Sequence, residues 1–265
     1  SISRNINALF NGIRPLGNVG NVYETDSIGH SERTRVSVSL NFPENVMYGN
    51  IRYSFVKAKN NIVTGSSLPT NPFDFSQEFA PTSGDGVHSI SSYFNYDLPY
   101  KFSFSGNFTY QTGSRFNITT GRDTNGDGFF NERPAFATDL TKPNLILTKY
   151  GVLDPNPTAA DKIIPRNLGR GTSKTSFDMS LSKSIGFNED KANKKLAKQS
   201  LNFSLDVENV FNIVNRSNPI GNMSSPNFLK VLSGSEGNFI ESSDGFYYGG
   251  STSPRAFSFG MSFRF

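Results

Sequence analysis

Residues 254–265 read PRAFSFGMSFRF, and the alternation in them is strict to the last position. Phe257, Phe259, Met261, Phe263 and Phe265 fall on one face, with Ser258, Gly260, Ser262 and Arg264 on the other. Successive side chains of a β-strand point to opposite sides, so this is a strand with one apolar and one polar face. About ten such residues is the length a tilted strand needs to cross a bilayer.

The same period recurs upstream. Leu201, Phe203, Leu205, Val207 and Phe211 alternate with Asn202, Ser204, Asp206 and Glu208. Phe177, Met179, Leu181, Ile185 and Phe187 alternate with serines and Asp178. Phe102, Phe104, Phe108, Tyr110, Phe116 and Ile118 keep one register through 101–118. Shorter stripes follow Val36 to Phe42, Met47 to Phe55 and Ile90 to Leu98. With a ragged opening strand over 1–10, roughly eight strands are predicted. Lys183 and Asn209 break the apolar face, each near a strand end, where a long stem can reach the interface.

Composition agrees with many strands that are apolar on one side only. The 265 residues are 35% hydrophobic, with a mean hydropathy of −0.42, yet they hold 25 Phe and 10 Tyr. A disordered chain lacks such aromatics. The net charge of +4 is mild and comes with no nucleic-acid signature, so no nucleic-acid partner is expected. Cysteine is absent, which removes disulfides and thiol chemistry. No stretch of 18 or more apolar residues offers a membrane helix, and SISRNINALF has no signal-peptide pattern.

A soluble sandwich and a membrane barrel both give alternating strands. The connections separate them. PEN (43–45), PY (99–100) and 188–197 are short or modest, whereas those at about 11–31, 58–86, 119–173 and 213–254 are long, and the two kinds alternate. Outer-membrane barrels impose that rhythm, with short periplasmic turns and long extracellular loops. Lipid also demands that every backbone polar group be paired, so strands can span it only in a closed sheet. The expected fold is therefore an all-β, antiparallel transmembrane barrel, with residues 1–265 as one barrel segment and no plug domain. If Phe265 ends in the periplasm, every short turn falls there and every long loop outside. Loops of up to about 55 residues suit a larger barrel than eight strands close, so a C-terminal piece of a barrel of about 22 strands is favoured over a small closed one.

Four segments carry a family resemblance: GRDTNGDGFFNERPAF (121–136), PRNLGRGTSKTSFDMSLSKSIGF (165–187), LNFSLDVENVFNIVNRSNP (201–219) and PRAFSFGMSFRF (254–265). In this order they resemble the C-terminal barrel of TonB-dependent outer-membrane receptors of the Oar-like, carboxypeptidase-regulatory-domain type of Bacteroidota and other Gram-negative bacteria. The resemblance implies import, or export, of a bulky ligand through a plugged lumen, powered by TonB through an N-terminal region that these residues do not include. It implies outer-membrane lipid as the medium and the barrel-assembly machinery as a partner, which would read Gly260, Phe263 and Phe265. Surface lipoproteins or other outer-membrane subunits are further partners it admits. The alternative is a non-transporting barrel that binds partners within a secretion or assembly complex.

An enzyme is not expected. His30 and His88 are the only histidines, and no nucleophile motif lies near either. Asp178, Asp206 and Glu208 share the polar face and are expected to pair with Arg35, Arg52 or Arg264. The remaining candidate is DTNGDGFFNERP. Asp123, Asn125 and Asp127 sit at positions 1, 3 and 5 of a calcium loop, with Gly128 at the turn, Phe129 at 7 and Asn131 at 9. Position 12 is Pro134, so Glu132 would have to substitute, and no helices flank the loop. Two readings stay open: a turn knitted by its own Asp and Asn side chains, or a Ca2+ site built from Asp123, Asn125, Asp127, Phe129, Asn131 and Glu132.

Overall fold

The computed structural model describes all residues except 11, 43–46, 62–67, 159–160, 188–198, 232–239, 242–246 and 249–253. Seven long strands form one antiparallel meander: Ser31–Phe42, Met47–Asn60, Val87–Leu98, Phe102–Gln111, Lys174–Phe187, Gln199–Glu208 and Ala256–Arg264. Each pairs with its neighbours in sequence, so the order along the sheet is the order along the chain. An eighth, two-residue member, Ala80–Pro81, extends the edge of the second strand at its end. The fold is all-β, with a single 3-10 turn among the described residues, at Pro99–Lys101. The short links at 43–45 and 188–197 lie outside the described residues.

The opening segment departs from expectation. Instead of a spanning strand over 1–10, only Ile2–Asn5 is extended, and it pairs with Tyr23–Asp26 in a separate two-stranded sheet. The reason is local. Asn5 Oδ1 accepts from the amides of Asn7 (3.0 Å) and Val22 (3.1 Å), which bends the chain back at once. The strand expected over 101–118 likewise ends at Gln111, and Arg115–Phe116 pairs with Gly169–Arg170 instead.

Register turns the alternation into continuous rows. Met47, Tyr96, Phe104, Leu181, Leu205 and Phe259 stand side by side across six strands. On the opposite face Asn95, Ser105, Ser180, Asp206 and Ser258 do the same. The apolar rows are uncovered: Val38 is 56% exposed and Phe259 72%. In water a contiguous apolar face of this size has no stable arrangement, while acyl chains satisfy it. Lys183 is accommodated as its position near a strand end predicts. Its ammonium lies 4.0 Å from the centre of the Phe102 ring and donates to the Tyr100 carbonyl (3.2 Å), beside the Pro99–Lys101 turn.

Among the described residues the first and seventh strands each have a single long neighbour, so the sheet is open at both edges.

One aromatic is seated between glycines. Phe94 pairs with Gly49 on one side and Gly106 on the other, and a Cβ on Gly106 would meet the Phe94 ring at 2.6 Å. Gly106→Val therefore displaces the ring, and overpacking of this kind costs about 1–3 kcal/mol. Denaturation of the detergent-extracted protein should show that loss for Gly106→Val, and none for the neighbouring Ser105→Thr.

Candidate functional site

The apolar core of the chain lies outside the sheet. Phe116, Ile118, Leu153, Ile164 and Met223 bury one another, flanked by Phe136, Tyr150 and Phe228. All lie in described parts of the connections after the fourth and sixth strands, and these residues form a loop layer of their own. Short pairings hold its pieces, Ile146–Thr148 with Gly151–Asp154 and the latter with Ala135–Phe136.

Cationic side chains fasten this layer to the strand ends. Arg170 donates to the carbonyls of Gly86 (3.1 Å), Gly113 (2.9 Å) and Asp85 (3.0 Å). Arg115 pairs with the buried Asp85 at 3.0 Å, and the other Asp85 oxygen accepts from the Ala58 amide at 2.9 Å. Arg166 donates to Asn60. At the far side of the sheet Asn209, in the left-handed region at φ 49°, accepts from Ile213 N and donates to Ile213 O. That places Phe211 flat on Phe177, centroids 5.3 Å apart. Asn209 thus ends its strand and does not intrude on the apolar face.

The DTNGDGFFNERP loop is where three connections meet. Its Asn125 carbonyl accepts from Leu9 N (2.6 Å), Gly126 O from Arg14 (2.7 Å) and Asp127 O from Asn21 (2.9 Å). Asn131 donates to Leu68 O (2.6 Å), and Arg133 to Thr70 Oγ1 (3.1 Å). Arg133 is 1% exposed and forms an ion pair with Glu78, which is also buried. Burial pulls the Arg133 pKa down, and the Glu78 charge opposes that pull. Beside this pair opens a cavity of about 480 Å³, walled by Phe10, Phe73, Thr70, Glu132, Arg133 and Ile163.

Within the loop the expected donors divide. Asp123 commits both oxygens to backbone amides, Oδ1 to Asp127 (3.1 Å) and Oδ2 to Gly128 (2.9 Å). Asn125 Oδ1 also accepts from Asp127 N at 3.0 Å. Phe129 contributes its amide, to Asp127 Oδ1 at 2.8 Å. Glu132 folds back so that Oε1 accepts from Thr124 N (3.0 Å) and Asn125 N (3.4 Å). Burial raises the pKa of both Asp127 and Glu132. Among the described residues no three carboxylate or imidazole groups converge on one point.

Other expected residues have quieter surroundings. His88 Nδ1 meets the Tyr53 hydroxyl at 2.9 Å, and His30 Nε2 meets Glu32 at 3.2 Å. Asp178 accepts from Asn209 N (2.8 Å) and Asp206 from Ser204 (3.0 Å). Among the described residues neither these acids nor Glu208 pairs with Arg35, Arg52 or Arg264, contrary to expectation. Register explains it: Asp206 lies opposite Ser258, while Arg264 lies opposite Ser200, six positions or about 20 Å away. Gly260 pairs with Ser204, and the Phe263 and Phe265 rings stack at 6.1 Å.

A lipid-ready apolar face, a polar reverse face and a loop layer with its own core stand together, and a family model described as outer membrane beta barrel domain matches residues 3–240. The chain belongs to this family. No curated protein and no solved structure matches it. The match takes in six of the seven strands and most of the loop layer, and the barrel's seventh strand continues the same ladder beyond it. The protein is thus an outer-membrane β-barrel.

Sequence reading did not single out Arg133, Glu78, Asp85 or Arg170. Glu78 and Arg133 lie 55 positions apart in non-periodic segments, and nothing local links them. The only hint was two charged residues, Glu132 and Arg133, within an otherwise turn-like run.

Proposed function

We propose that this chain is the C-terminal wall of a larger TonB-dependent receptor or transporter barrel of the Oar-like type, of about 22 strands. The observation that carries the reading is the sheet with two free edges beneath a packed, pocketed loop layer. Among the described residues neither edge has a partner strand, and an unpaired edge finds no hydrogen-bonding solvent in lipid, which supports a ring completed by additional strands. The cavity of about 480 Å³ falls in the size range of ligand pockets and combines aromatic walls with a buried ion pair. In this reading the loop layer is extracellular and Phe265 is periplasmic. The pocket contributes to ligand capture, and the polar face lines the route that a plug occludes. In this reading the barrel acts by binding and passage and not by catalysis, in keeping with the lack of a nucleophile motif near His30 or His88. Its biogenesis partner is the barrel-assembly machinery, reading the Phe265 end, and surface lipoproteins or other outer-membrane subunits can dock on the loops.

The test is made on the full-length product. It should carry a plug ahead of Ser1 and should retain the TonB C-terminal domain in a pull-down. A product with neither overturns transport and leaves a partner-binding barrel as the surviving alternative.

A further inference from the structure

Two carboxylates are buried inside the 123–132 loop without an opposite charge. Asp127 is fully buried and Glu132 is 6% exposed. Each uses one oxygen on backbone amides of the loop, Asp127 Oδ1 on Phe129 N and Glu132 Oε1 on Thr124 N and Asn125 N. The second oxygen of each, Asp127 Oδ2 and Glu132 Oε2, receives no donor, and neither does Asn131 Oδ1. Among the described residues these three are the only buried side-chain oxygens left without a donor. An unmatched buried acceptor costs about 1–3 kcal/mol, and more when it is charged, so three in six consecutive residues call for a positive partner.

We propose that this loop binds one Ca2+ through Asp127 Oδ2, Glu132 Oε2 and Asn131 Oδ1, with water completing the shell. The donors are all oxygen, which suits a hard cation and not zinc or copper. Two carboxylates neutralise its charge, and an irregular loop suits calcium better than the strict octahedron of Mg2+. Asp123 leaves the ligand set that the sequence motif suggests, because both its oxygens hold the turn. The ion ties the three connections together. Asn131 also holds Leu68 O, the Glu132 carbonyl accepts from Thr120 N (2.7 Å), and the Asp127 carbonyl accepts from Asn21. The site stands whether or not the barrel transports.

The experiment is a CaCl2 titration, by calorimetry, of the detergent-extracted protein after chelator treatment. One ion per chain is expected, with half-saturation on the order of 0.1–1 mM, as in extracellular calcium modules. Asp127→Asn and Glu132→Gln should each weaken binding about tenfold or more. The sheet-face control Asp178→Asn should bind as the parent does. Hydrogen exchange at 120–134 and 68–78 should slow on adding Ca2+ to the parent protein. No saturable binding by the parent protein overturns the site even if a variant fails to fold. Parent-like affinity in Asp127→Asn overturns it too, as does loss of binding in Asp178→Asn alone.

Discussion

Glu78→Ala loosens the loop layer and leaves the strands intact. Arg133 is almost fully buried, and its guanidinium is held by Glu78, Thr70 Oγ1 and, at 3.4 Å, the Gln77 carbonyl. Removing the carboxylate strands a cation away from water, and breaking one partner of a buried pair costs about 3–5 kcal/mol. The cost falls on the contact between 68–78 and 119–134. Amides in those two stretches should exchange faster by two orders of magnitude or more, while 174–187 and 199–208 keep their protection. The double replacement Glu78→Leu with Arg133→Leu removes both charges and should recover much of the loss. If Glu78→Ala leaves exchange unchanged, the pair does not hold these connections together.

Leu205→Arg blocks insertion where Ser204→Arg is tolerated. Leu205 stands mid-strand, between Leu181 and Phe259, in the row that crosses six strands. A guanidinium at the bilayer midplane on the lipid face costs about 2–4 kcal/mol. Its neighbour Ser204 points to the polar face, where Gly260 pairs with it and leaves room. Folding yields into lipid vesicles, read from heat-modifiable migration on gels, should fall steeply for Leu205→Arg and stay near the parent value for Ser204→Arg. Equal yields for the two would reverse or abolish the assignment of faces.

The sheet was legible because lipid and lumen impose a period of two, and that period survives in single residues such as Phe257, Phe259 and Met261. Six of the seven spans end within a few residues of where alternation ends, and the exception shows why. After Gln111 the run Thr112, Gly113, Ser114 breaks the ladder, yet Phe116 and Ile118 keep the parity by chance. Their apolarity serves the loop core, which has no period to read. The opening segment misled in the same way, with Ile2, Ile6, Ala8 and Phe10 mimicking a strand. Asn5 and Asn7, both buried, determine its path through contacts such as Asn7 Nδ2 to the Gly20 carbonyl (2.7 Å). In the DTNGDG loop the residue types were readable and their division of labour was not. Whether an oxygen meets an amide or stays uncommitted depends on how Glu132 folds back, and that depends on neighbours 50 or more residues away, such as Leu68 and Thr70.

Arg170 reaches three carbonyls at two separate rim positions, 85–86 and 113, and its own amide is held by the Tyr150 hydroxyl at 2.9 Å. A side chain so placed is a mechanical coupling. The 112–173 connection cannot swing as a free flap while its root is riveted to the tops of the third and fourth strands. Lifting this connection from the rim requires breaking those three bonds. With Arg115 on Asp85 and Arg166 on Asn60, Arg170 makes this connection a cover pinned at several points of the rim and not a hinged flap.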